Sequence, residues 1–246
     1  MMMAFDRTVA APPPAGRHGW YGKIPAAGDF LHRGLARELT AWWDRWAQHG
    51  LGALRQLPAD AQREFGAAPL WNFAIPAGPG AGTVQLGCVA ASRDRVGRAY
   101  PLWAIWETEV QHYDPRLLAQ AGDYYRLSGS ALLGALRHGS GAEQLERALA
   151  PAAASLRASS QDATARTAGN DILDILNAGL PTPAAAASRA PSGWPDLPGC
   201  FNPASHTSYW WTNQADGAAL QTYVHGGALN ATLFARLFVP SARSRL

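Results

Sequence analysis

The sequence predicts an α/β protein: a three-layer αβα sandwich whose mixed, largely antiparallel central sheet of about five strands carries helices on both faces. Three observations lead there. Two nearly continuous apolar runs, Thr83 to Ala91 and Tyr100 to Trp106, are joined by the compact polar turn Asp94 to Gly97, as in an antiparallel pair covered on both faces. Ala215-Asp216-Gly217 separates two further apolar-aromatic runs, a strong local hairpin signal. Apolar residues recur at helical spacing before and after the first strand pair, which supplies the covering layers.

Taken in order, Ala10 to Gly16 is proline-rich and reads, with Arg17, as a disordered leader (1–17) ahead of a single domain over 18–246. Gly19 to Phe30 reads as a glycine- and proline-punctuated turn. From Leu35, the residues Leu39, Trp42, Trp43, Trp46 and Leu51 share one helical face, with Arg37, Glu38, Asp44, Arg45 and Gln48 largely opposite, and the helix stops near Gly50. Such a stripe serves either as core or as a binding face, and Trp43 is the hardest of the three tryptophans to place. A short strand, Trp71 to Ile75, ends at Pro76 and a glycine-rich turn.

Asp114-Pro115 pairs an N-cap with a first-turn proline, and Leu117 to Leu136 continue an apolar face that Gly129 could interrupt. Glu143 to Leu149 and Ile172 to Leu176 read as shorter helices. Between them, and from Pro181 to Pro198, Ala-, Ser- and Pro-rich segments read as loops. The chain closes with strands at Tyr209 to Thr212 and Leu220 to Val224, then a helix near Ala228 to Phe238.

Composition narrows the function. A chain of 246 residues can bury one substantial core, and 48% hydrophobic residues support it. Only 16% of residues are charged, which leaves room for a partner-facing surface. The net charge of +3 is carried by scattered residues, with no basic stripe of the kind that binds nucleic acid. Ten tryptophans can serve as core rings or as interface anchors, and their number does not separate the two uses.

Two cysteines build neither a disulfide framework nor a four-ligand zinc site, and Cys88 in its apolar run reads as a small core residue. The seven histidines lack ligand spacing, so no metal is expected. Neither a cleavable signal nor a membrane-length apolar run is legible, which makes the cytoplasm the expected compartment.

Catalytic patterns fail one by one. Gly22-Lys23 resembles the end of a phosphate-binding loop, but Ile24 replaces the required Ser or Thr and Arg17 replaces the first glycine. Ser128, Ser130 and Ser140 occupy no nucleophile elbow. The carboxylates are dispersed; Asp171 and Asp174 share a helical face, yet near a helix start the macrodipole accounts for them.

What remains are polar residues on turns. Lys23 could pair with a carboxylate, stay solvated, or present its ammonium to a partner. Asp29 could cap the following turn or touch a partner. Arg95 and Arg98 flank Val96-Gly97; they are either solvated turn charges or a fork suited to a carboxylate or phosphate on another protein.

Gly22-Lys23-Ile24-Pro25, Gly28-Asp29-Phe30, the helix bearing Trp42 and Trp46, Pro69 to Phe73 around Trp71, Ser92 to Leu102 with Gly97 and Pro101, and Ser208-Tyr209-Trp210-Trp211 occur here in that order. In this the chain resembles the TagF (ImpM) family of type VI secretion accessory proteins over most of its length. The resemblance implies a non-catalytic negative regulator that works post-translationally by binding the forkhead-associated-domain scaffold of the secretion apparatus. It implies no cofactor. Some relatives are fused to a PPM-type phosphatase domain, for which this chain is too short. The candidate contact residues are Lys23, Asp29, Phe30, Asp94, Arg95 and Arg98, with Gly22, Pro25, Gly28 and the tryptophans as framework. The region 150–198 matches least, and an uncharacterised hydrolase with an undetected pocket is the alternative.

Overall fold

The computed structural model describes residues 16–169 and 193–239. The strands are β1 (Arg17–Gly22), β2 (Leu31–Arg33), β3 (Trp71–Ile75), β4 (Val84–Arg93), β5 (Ala99–Thr108), β6 (Thr207–Asn213) and β7 (Ala219–Gly226). They form one seven-stranded sheet in the order β2-β1-β5-β4-β3-β6-β7. Every neighbouring pair is antiparallel, so the expected largely antiparallel sheet of about five strands is wholly antiparallel and has seven strands among the described residues.

The two additional strands are β1 and β2, which fall where a turn was expected. Arg-His-Gly-Trp-Tyr-Gly has no apolar run and two glycines, so local pattern gives no strand signal; pairing with β5 makes it one. Arg17 therefore belongs to the sheet and not to a leader, while residues 1–15 lie outside the described residues.

Two helical layers sandwich the sheet. One face receives α1 (Arg37–Leu54) and the C-terminal α7 (Ala231–Phe238), with the short α2 (Ala59–Glu64) alongside. The other receives α3 (Pro115–Ala119), α4 (Gly122–His138), α5 (Ala142–Gly169) and the single-turn α6 (Leu197–Cys200). Strand alternation sorts the side chains: Leu102, Ala104 and Trp106 point to the α4 side, Trp103 and Ile105 to the α1 side. The same period of two splits the neighbours Trp210 and Trp211 between opposite cores.

Of the ten tryptophans, only Trp42 and Trp194 keep partial exposure, so these rings serve chiefly as core. Trp43 is the centre of the α1 face. It is fully buried, its ring lies 5.1 Å from Phe73 and 5.3 Å from Trp103, and its Nε1 donates to Gln85 Oε1 at 2.8 Å. Cys88 is buried in the opposite core, where burial pushes its thiol pKa up.

Three helix boundaries differ from expectation. α1 runs through Gly50 to Leu54, because Gly50 is where Phe234 of α7 crosses: an added Cβ there would stand 2.1 Å from the Phe234 Cγ. The break after Pro115 comes at Gln120–Ala121 and not at Gly129, which continues α4 beside Leu70. α5 continues through Pro151 to Gly169 where a loop was expected. Its alanines have high helix propensity, and Ala152, Ala153 and Leu156 are buried against the core. The expected helix Ile172 to Leu176, with Asp171 and Asp174, and the segment 181–192 lie outside the described residues.

Gly50→Ala should destabilise the protein by roughly 1–3 kcal/mol through overpacking against Phe234, read as a lower unfolding midpoint; an unchanged midpoint would contradict the tight crossing. His18, whose pKa burial and then the Arg157 charge depress from 6.5 to about 4, gives a second expectation. Below pH 6.5 the unfolded chain binds this proton and the folded chain does not, so stability falls as pH drops toward 4, by roughly 2–3 kcal/mol. Thermal melts of His18→Phe across that window should show a shallower fall than the wild type.

Candidate functional site

The turn that follows β1 and the β4–β5 turn meet at one corner of the sheet. Ile24 O accepts from Ala27 N at 3.1 Å with Pro25 in second position, a turn that proline's fixed φ favours. Gly22 delivers the chain to this turn at φ +137, and a Cβ there would lie 2.2 Å from Pro101 O, so only glycine fits. On the other side Gly97, at φ +86, lets the chain reverse between Asp94 and Arg98.

Asp94 organises both turns. Its Oδ1 accepts from Val96 N at 3.0 Å and Arg98 N at 2.9 Å, and its Oδ2 accepts from Lys23 Nζ at 2.8 Å and Arg98 Nε at 2.6 Å. Burial opposes ionisation of this carboxyl. The hydrogen bonds from Lys23 and Arg98, together with the Lys23 charge, outweigh it and hold the pKa well below the usual carboxylate range.

Further bonds close the corner. Ser92 Oγ donates to Lys23 O at 2.6 Å, Arg95 N donates to Ala27 O at 2.9 Å, and the Arg98 guanidinium also donates to Gly28 O. The Lys23 ammonium sits 4.8 Å from the Phe30 ring centre, and Phe30 meets Tyr100 edge-on at 4.6 Å. Behind them Asp44 Oδ1 accepts from Tyr21 at 2.9 Å and from Tyr100 at 2.5 Å. Burial, then the bond to Asp44, raises the Tyr100 pKa.

The sequence candidates thus come together, but in two classes. Lys23 and Asp94 are buried against each other, with side chains 7% and 0% exposed, so they shape the corner from below. Asp29, Phe30, Arg95 and Arg98 are exposed at its surface, along with Val96. Asp29 caps no turn: it has no hydrogen bond or ion pair among the described residues. Arg98 folds back onto Asp94 and Gly28, while Arg95 is exposed beside Gly28 with no ion pair among the described residues.

Asp44, Tyr21, Tyr100 and Ser92 escaped the sequence reading. Asp44 lies opposite the apolar stripe of α1 by spacing but is half-buried; its position one residue after Trp43 is the signal for this.

Next to the corner a groove of ≈ 570 Å³ separates it from the C-terminal end of α1 and from Phe65. No serine, cysteine, histidine or carboxylate lines it. Among the described residues no three His, Cys, Asp or Glu side chains gather as metal ligands, and no helix is long and apolar enough to cross a membrane.

The architecture is that of an αβα sandwich with a rigid, mixed-charge corner built from two interlocked turns. Residues 19–152 match the family described as the TagF N-terminal domain, type VI secretion system-associated, and the chain belongs to that family. The matched span includes the whole corner and ends within α5, so β6 and β7 complete the sheet, and α7 the α1 layer, outside it. The crystal structure of PA0076 from Pseudomonas aeruginosa PAO1 is similar in fold, with a TM-score of 0.59 and 23% identity over 91% of this chain and 94% of that one. No curated protein matches this chain.

Asp94→Asn should destabilise the protein at neutral pH, because it strands the Lys23 ammonium in a buried site. Lys23→Met combined with Asp94→Asn should cost less than Asp94→Asn alone, and denaturant melts of both variants measure the difference. Since the folded-state pKa of Asp94 is depressed, its contribution is present above the unfolded value of 3.8 and is lost as pH falls below it. Wild-type stability should therefore drop more steeply below pH 4 than that of the asparagine variant.

Proposed function

We propose that this protein acts by binding and not by catalysis, as a post-translational negative regulator of type VI secretion in the cytoplasm. The partner in this reading is the forkhead-associated-domain scaffold of the apparatus. Family membership supports the setting. The observation that carries the binding role is the corner itself, where Asp29, Phe30, Arg95 and Val96 are exposed on two turns that Asp94 and Lys23 lock from below. A surface already rigid loses little conformational entropy on docking. It also combines a half-exposed aromatic ring with charges of both signs, the composition of an interface anchor and its rim.

The groove lining gives hydrolysis no support, since it offers neither a hydroxyl or thiol nucleophile of serine or cysteine nor a carboxylate–histidine pair.

Titration of the purified scaffold into this protein should show saturable binding. Arg95→Glu combined with Asp29→Lys should weaken it by about tenfold or more with an unchanged circular-dichroism melt, a size ordinary for reversed charges at an interface. No binding by the wild type would remove the scaffold as partner. Full affinity in the folded double variant would move the contact away from the corner.

A further inference from the structure

The groove beside the corner carries a net positive charge. Arg55, at the end of α1, is exposed and has no carboxylate partner among the described residues. Arg98 lines the same groove. Of its five N–H donors, one is engaged by Asp94 and one by Gly28, so the rest are free to bind an anion. Lys23 adds a third cation; Lys23 and Arg98 share the one carboxylate of Asp94, and no Asp or Glu lines the groove itself, so it keeps a net positive charge.

The rest of the lining is part apolar and part polar, the polar side chains being Gln48, Gln62 and Tyr100. Leu51, Leu54 and Phe65, all buried, and Phe30, 47% exposed, supply its apolar wall. The wall is held in place: Gln62 Nε2 donates to Leu57 O at 2.8 Å and Arg55 O at 3.3 Å, tying α2 to carbonyls that the end of α1 leaves unpaired. On the opposite side Phe30 is held by Tyr100 and Lys23. A volume of ≈ 570 Å³ falls within the range that accepts a small ligand, or roughly two or three side chains of a peptide.

We infer that this groove docks an acidic, amphipathic segment of a partner protein, whose Asp or Glu side chains bridge Arg55 and Arg98 while a large apolar side chain seats beside Phe30. Carboxylates match the guanidinium fork in geometry as well as in charge. The apolar wall rewards a Phe, Leu or Trp between them. The inference rests on the protein's being a binding module and defines the partner's chemistry at the groove, apart from the scaffold's identity.

The test uses the full chain and a panel of N-acetylated, C-amidated hexapeptides, each with one Phe, Leu or Trp flanked by Asp and Glu. A second panel carries Lys in place of every acid. Calorimetric titration at low salt should find binders in the acidic panel alone, with affinity falling as salt rises. Arg55→Glu should weaken that binding by about tenfold, while Arg137→Glu, exposed in the last turn of α4 on the other helical layer, leaves it unchanged. Arg55→Lys should retain part of it.

Absence of any acidic binder at millimolar peptide would overturn the assignment. So would equal binding of the lysine panel, or an Arg55→Glu variant that binds like the wild type. None of these outcomes depends on the scaffold, so a failed groove and a failed scaffold reading remain separate results.

Discussion

One buried carboxylate sets the geometry on which the corner depends. Asp94 receives two backbone amides from its own turn, which fix the reversal between β4 and β5, and two cationic side chains, one of which comes from the segment after β1. Taking Lys23 out of water is costly unless its charge is matched, and the full set of bonds to Asp94 matches it. Because Lys23 O also accepts from Ser92, the turn after β1 is held through both side chain and backbone. The exposed residues above it need no induced ordering.

The sheet makes this possible by bringing residues from far apart in the chain together. β1 pairs on one side with its sequence neighbour β2 and on the other with the distant β5, so Gly22 stands opposite Leu102 and the segment after it lies over the β4–β5 turn. On the α1 face, Trp43, Phe73, Trp103 and Trp210 fill the space between helix and sheet. Their polar atoms are partly satisfied in place, as by Gln85 for Trp43 and the backbone of Asn230 for Trp46. The C-terminal helix completes this layer by crossing α1 at Gly50, which links the part outside the family match to the part inside it.

Rigid corner and arginine-rimmed groove share Phe30, Arg98 and Lys23. A partner engaging one would therefore stand beside the other. The division of labour among the charges follows burial: Lys23 and Asp94 are spent on each other, whereas Arg55 and Arg95, exposed, keep their charge for solvent or a ligand.

By itself the sequence determined what local pattern and turn chemistry can decide. The alternating and continuous apolar runs of β3 to β5, the Asp94 to Gly97 reversal, the hairpin at Asp216-Gly217 and the cap at Asp114 are all governed by neighbours within a few residues. Tertiary structure decided the rest. β1 is a strand because β5 offers it a partner, α1 continues through Gly50 because Phe234 requires the space, and α5 continues past Pro151 because its alanines and Leu156 are buried. Most of all, the sequence named Lys23 and Asp94 without showing which charges would be spent internally. That depends on contacts across 71 residues of chain, where burial removes water and makes pairing obligatory.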